Sequence, residues 1–245
     1  MTTESRGRID GQYTFSELVD IERVRSLLDG FSKTTGLSAT ITNHPGEDLV
    51  IASGWRRACL DFHSSDGGWS NLCRKCNYKI ASEIKSDGEN WLGSCDRGLM
   101  IGAAPIIIRG AHCATLFAGQ VFFDAPDIQH FRSQAVELGY DPNDYLKAIA
   151  DVPVIEKKKL IDALAFLGDM AALIAEQGLN KLTNEETIRQ TRQLEESVRT
   201  TLNSIGDAVI ATDRDGRIQR MNDIAERLTG RSEEHTSELQ SRITI

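Results

Sequence analysis

Apolar residues fall at helical, alternating and continuous spacings along this chain, and their order predicts its elements. Leu18, Ile21, Val24, Leu27, Leu28 and Phe31 recur three and four residues apart, the mark of one buried helix stripe. Thr14 and Glu17 stand at capping-box spacing before it, and Gly36 ends it. Residues 37–41 and 49–51 are short apolar runs around the His44-Pro45-Gly46 turn, which predicts a hairpin. Residues 55–98 read as loops around one helix at 73–85. Two longer apolar runs, 102–108 and 113–123, flank Arg109-Gly110-Ala111-His112 and predict a central, buried antiparallel pair.

Residues 127–151 have helical texture broken at Gly139 and at Asp141-Pro142. From 155 to 177 an apolar face of Leu160, Leu164, Leu167, Ala171 and Ile174 marks a long amphipathic helix. Residues 179–205 lack Gly and Pro. There Leu194, Val198, Thr201 and Ile205 alternate four and three apart, as a coiled-coil seam or the flank of a solvated linker helix. Residues 208–212 and 217–221 read as strands around Asp213-Arg214-Asp215-Gly216, and Ile224, Ala225 and Leu228 begin a helix. Roughly thirty residues are too few to complete an independent domain. The class is α+β: a polar tail at 1–13, an antiparallel sheet with flanking helices at 14–180, a helical linker at 181–201, and the start of a second domain at 202–230.

Composition narrows the class. Of 245 residues, 40% are hydrophobic and 26% charged, ordinary for a soluble protein with its own core. A net charge of -8 disfavours general affinity for nucleic acid or anionic membrane. No apolar run approaches the ~18 residues of a membrane helix. The polar start MTTESRGRID is no secretory signal, so a cytoplasmic location is expected. Phosphate-cradling Gly-rich loops, a Gly-x-Ser-x-Gly elbow and kinase or cyclase signatures are missing, so no enzymatic activity is expected.

Thiols stay reduced in such a compartment, and five cysteines need a role other than disulfides. The constellation with chemistry in it is Cys59-x3-His63, Cys73-x2-Cys76 and Cys95. A Cys-x2-Cys pair brings two thiolates within reach of one metal, and Cys59, His63 and Cys95 add ligands if their loops converge. Thiolate donors suit zinc or an iron–sulfur cluster. A redox-switchable disulfide and plain core packing are open alternatives for the same residues. Cys113, inside an apolar strand, is expected in the core.

Two stretches resemble known families. CLDFHSSD at 59–66, CNYKIA at 76–81, GSCDRGLMIGAAPIIIRGAHCATLFAGQVFF at 93–123 and FRSQAVELGYDPNDYLKAIADVPVI at 131–155 resemble the PocR sensory domain, over residues 13–182. LNSIGDAVIATDRDGRIQRMNDIAERLTG at 202–230 resembles the first two strands and first helix of a truncated PAS domain. The first resemblance implies a PAS-like fold and the sensing of small organic molecules, simple diols among them. It also implies a place ahead of PAS modules and of histidine kinase, diguanylate cyclase or transcription-factor outputs. Cys59, Cys76, Cys95 and His63 fall where that family carries those residue types; Cys73 matches less consistently. Residues 231–242, RSEEHTSELQSR, resemble a translated sequencing adapter, so 231–245 are expected to be a non-native tail.

A PAS-like sheet implies a ligand held between its face and the covering helices. The candidates are Trp55, Phe62, Trp91, His112, Phe117, Gln120 and Phe122. Phe117 and Phe122, an odd number of residues apart, cannot share one face of a regular strand. Gly119 permits close approach, and the Gln120 amide either meets the ligand or caps a strand edge. The expected function is a sensory module of a prokaryotic signal transduction protein. It binds a small organic ligand, dimerises through helices 155–205, and relays its state to a PAS module and an output domain. The alternative is a metal or redox sensor built on Cys59, His63, Cys73, Cys76 and Cys95.

Overall fold

Caps cut the chain into its elements. The computed structural model describes residues 9, 13–45, 48–63, 71–84 and 89–230. The Thr14–Glu17 capping box holds only the single turn α1 (Phe15–Leu18). Val19 is extended, and Asp20 accepts the Arg23 N–H to start α2 (Ile21–Thr35), which Gly36 closes in the left-handed conformation. The single helix expected here is therefore two, because a second cap lies inside the apolar stripe. Ile9, in the expected polar tail, is buried in the core and bridges Tyr13.

The expected hairpin forms from β1 (Ser38–Asn43) and β2 (Leu49–Ser53). A π-helical segment, Ala58–His63, and α3 (Asn71–Glu83) follow. Then come a short strand β3 (Trp91–Ser94), β4 (Met100–Ile108) and β5 (Ala111–Val121). The five strands pair antiparallel in the order β2-β1-β5-β4-β3. Gly139 ends α4 (Ile128–Leu138), and Asp141 caps α5 (Pro142–Ala150) with Pro142 in its first turn. The last helix of the sheet domain, α6, runs Lys157–Ser204 without a break.

Alternation along the strands gives the sheet two unlike faces. Ile41, Ala104, Ile106 and Leu116 point to one, into a core with Leu28 of α2 and Leu160, Leu164, Leu167, Ala171 and Ile174 of α6. Gly102 lets α6 come close: a Cβ there would stand 2.7 Å from Leu164 Cδ2. On the other face Ile101, Ala103 and Phe117 meet Cys76 and Ile80 of α3. Phe122, Phe131, Tyr145 and Ile149 form a further cluster that seats α4 and α5.

β5 changes parity at Gly119–Gln120. Met100 pairs with Val121 and Ile101 with Gly119, so Gln120 is an extra residue, with φ 57 after Gly119 at φ 138. Ala118 and Val121, three apart, thus share the packed core. Phe117 and Phe122 both lie outside it. The alternation rule for a regular strand does not hold across this bulge.

The chain divides into two compact units at Leu182–Thr183, within α6. In the second unit β6 (Ile210–Thr212) pairs antiparallel with β7 (Ile218–Met221), and α7 (Asp223–Thr229) follows. Asn222 is fully buried. Its oxygen accepts the Val209 and Ala225 N–H groups, and its amide donates to the carbonyls of Leu202 and Asp207. The tail expected at 231–245 lies outside the described residues.

Candidate functional site

A cavity of about 210 Å³ lies against the face of the sheet that α6 does not cover. Thr40 of β1, Ile101 of β4 and Phe117 and Gln120 of β5 line it from the sheet. Cys73, Cys76 and Asn77 line it from α3, where positions three and four apart share a helix face. Trp55 enters from the loop after β2, its indole N–H donating to Thr40 Oγ1 at 2.6 Å.

The π-helical segment supplies Cys59 and His63, one above the other. Cys59 Sγ is 3.8 Å from His63 Nδ1, and His63 Nε2 is 2.9 Å from the Tyr145 hydroxyl. Tyr145 donates its own proton to Gln134 Oε1 at 2.6 Å, so its oxygen accepts from His63. That places the imidazole proton on Nε2 and leaves the Nδ1 lone pair facing Cys59. Burial, and then the Arg97 charge, lower the His63 pKa to about 4, so the ring is neutral near pH 7.

Burial also pushes the thiols of Cys59, Cys76 and Cys95 up, Cys76 to about 12. Cys95 and Cys73 near Cys59 raise it further, since a thiolate disfavours another beside it. Cys76 Sγ accepts the Asp96 N–H at 3.4 Å, and Cys73 donates to the His63 carbonyl at 3.8 Å. All five cysteines are free thiols, and Cys113 is buried in the core as expected. Among the described residues, no three His, Cys, Asp or Glu side chains converge as a metal requires. The five candidate metal ligands all line the cavity, but among the described residues no three of them come together as one ion requires. The donor set as arranged does not fit zinc or a cluster.

Trp55, Phe117 and Gln120 are the expected ligand contacts that line the cavity. The others have different neighbours. Phe62 packs edge-on against Tyr140 and Tyr145, at 5.4 and 5.2 Å between ring centres. Phe122 meets Phe131 at 5.5 Å. Trp91 donates its indole N–H to Glu83 at 3.0 Å. His112 stacks on His44 at 4.2 Å with Nε2 2.9 Å from Thr115 Oγ1, and burial and His44 lower its pKa to about 4.

Residues not singled out in the sequence complete the lining: Ser38, Thr40, Asn77, Asp96, Arg97 and Leu99 among them. Asn77 had a legible signal, since it stands four residues after Cys73 on the predicted helix. Arg97 had none beyond its place in the turn between two strands. Gln120 has two sets of neighbours. Its Oε1 accepts the Arg56 N–H at 2.9 Å, and it also faces the cavity.

The family profile described as a sensory domain found in PocR matches residues 17–179, more than half of the chain, and that of the PAS fold matches 196–243. No curated protein matches the chain. Among solved structures, a GAF domain/HD domain protein from Geobacter sulfurreducens is similar at 11% identity. That similarity covers 68% of this chain and 98% of that one, with a TM-score of 0.35. A Rhodobacter sphaeroides LOV protein is similar at 15% identity over 66% of this chain and 96% of its own, with a TM-score of 0.27. Among the described residues, no helix is long and apolar enough to cross a membrane.

Proposed function

Because the chain belongs to the PocR sensory-domain family and carries a PAS domain after it, we propose that this signalling module binds a small organic ligand in the cavity under α3. One observation carries this reading: the cavity combines an apolar floor with a few polar groups, as a small-molecule site requires. At roughly 30 Å³ per water-sized group, 210 Å³ admits on the order of seven such groups. The ligand is therefore small, and the module binds it without transforming it.

Occupancy shifts the population of two arrangements of α6, which passes the change on to the PAS domain and to an output domain of the signalling protein, in the cytoplasm. A homodimer provides the second surface for this relay. In the single chain Leu194, Val198 and Ile205 are exposed along the seam read from the sequence, which supports pairing there.

The test is a thermal-shift screen of the full chain against small alcohols, diols, acids and amides. Compounds that raise the melting temperature, and lose that effect in Asn77→Phe, support the cavity as the site. No hit, or hits indifferent to Asn77→Phe, would sink it. Spin labels on α6 test the relay separately: unchanged distances across the dimer on adding a hit would end it.

A further inference from the structure

The polar groups of the cavity are not interchangeable, and their difference describes the ligand. Asn77 is only 9% exposed and lines the cavity, and its side chain forms no hydrogen bond among the described residues. Lining the cavity, its amide is placed to meet a group from outside the protein. Gln120 commits its oxygen to the Arg56 N–H, which leaves its NH2 as a second donor.

Arg97 is the one Lys or Arg among the described lining residues, and it makes no ion pair with any of the described carboxylates. A tight turn orders its backbone. The Gly98 N–H donates to the Cys95 carbonyl at 2.9 Å and the Cys95 N–H to the Leu99 carbonyl at 2.8 Å, with Gly98 at φ 86. A guanidinium at a small cavity matches a carboxylate through two parallel hydrogen bonds. Asp96 also lines the cavity, is exposed, and spends no bond on Arg97. One cation beside one exposed carboxylate suits a single negative charge better than a dianion. A neutral diol would satisfy the two amides and leave Arg97 as it stands.

We propose that the ligand is a small monocarboxylate of about three to five carbons, its carboxylate on Arg97, its hydrocarbon part over Phe117 and Ile101, and a hydroxyl or carbonyl against Asn77 and Gln120. This rests on the cavity being the ligand site.

Calorimetric titration of the full 245-residue chain with 3-hydroxybutyrate and its neutral isostere 3-hydroxybutanamide tests the charge alone. Lactate and 1,2-propanediol serve as a second pair. The acids are expected to bind at least about tenfold tighter than the neutral partners. Arg97→Gln, with unchanged circular dichroism and melting temperature, is expected to weaken acid binding about tenfold to a hundredfold and abolish the preference. Arg97→Lys retains part of it. If the neutral compounds bind as well as the acids and Asn77→Phe blocks them, the carboxylate assignment is overturned while the cavity stands as the site. If the acids bind Arg97→Gln undiminished, it is overturned as well. If nothing binds, or binding ignores Asn77→Phe, both the carboxylate and the cavity reading fail.

Discussion

The two faces of the five-stranded sheet are made from the same strands and obey different rules. On one, Ile106, Leu116, Leu160 and Leu167 are wholly buried, and side chains interlock with α2 and α6. On the other, thiols, amides and a guanidinium surround a space that the protein leaves unfilled. The first face supplies the hydrophobic stabilisation of the domain. The second holds polar side chains that face the cavity and do not pack into the core. The contrast separates what holds the fold from what the fold is for.

Breaking the packed face should have the largest effect. Leu116→Ala is expected to destabilise the protein by about 2–5 kcal/mol in urea denaturation, with ligand affinity retained. A loss below about 1 kcal/mol would mean that this face is not close-packed. Acid probes the other face through His63. Its pKa is about 4 in the folded protein against 6.5 when unfolded, so the unfolded chain binds the proton first as pH falls. Stability should be full above pH 6.5 and decline by up to about 3 kcal/mol toward pH 4. His112 contributes with the same sign over the same window. Melting curves across that range should flatten in His63→Gln by its share only; an unaltered profile would remove His63 from the account.

At the seam between the faces, Gly119→Ala adds a Cβ 2.5 Å from the Met100 carbonyl at a φ of 138. A loss of about 1–3 kcal/mol is expected in denaturant titration. Full stability would show that the bulge relaxes freely. The smallest effect sharpens the comparison most. Asn77→Leu removes an amide that bonds to none of the described residues, so stability should stay within about 0.5 kcal/mol of the parent while ligand binding collapses. A large destabilisation would make Asn77 a structural residue.

The packed face was largely legible in the sequence. All five apolar positions read for α6 are buried, and α4 and α5 break where Gly139 and Asp141-Pro142 said they would. Periodicity and caps are local signals, and these elements depend on little else. The cavity face was legible only in part. β3 escaped because four residues that include Gly93 and Ser94 carry no strand pattern. The bulge at Gly119–Gln120 defeated the alternation argument, since an inserted residue is a property of pairing with β4. Cys59, His63, Cys73, Cys76 and Cys95 all line one cavity, which spacing along the chain did not reveal. Arg97 forms no ion pair among the described residues, and that becomes visible only once the chain is folded.

Neighbouring residues of β4 belong to opposite worlds. Ile101 borders the cavity, and Gly102, the next residue, lies beneath Leu164 of α6 with no side chain of its own between. The partition at that point is one peptide plane thick. Close-packed interiors yield little, so little but the Leu164 side chain stands between the cavity wall and α6 at that point. The absent methyl at Gly102 thus sets the gauge of the wall, and a larger residue there would have to displace the end of Leu164.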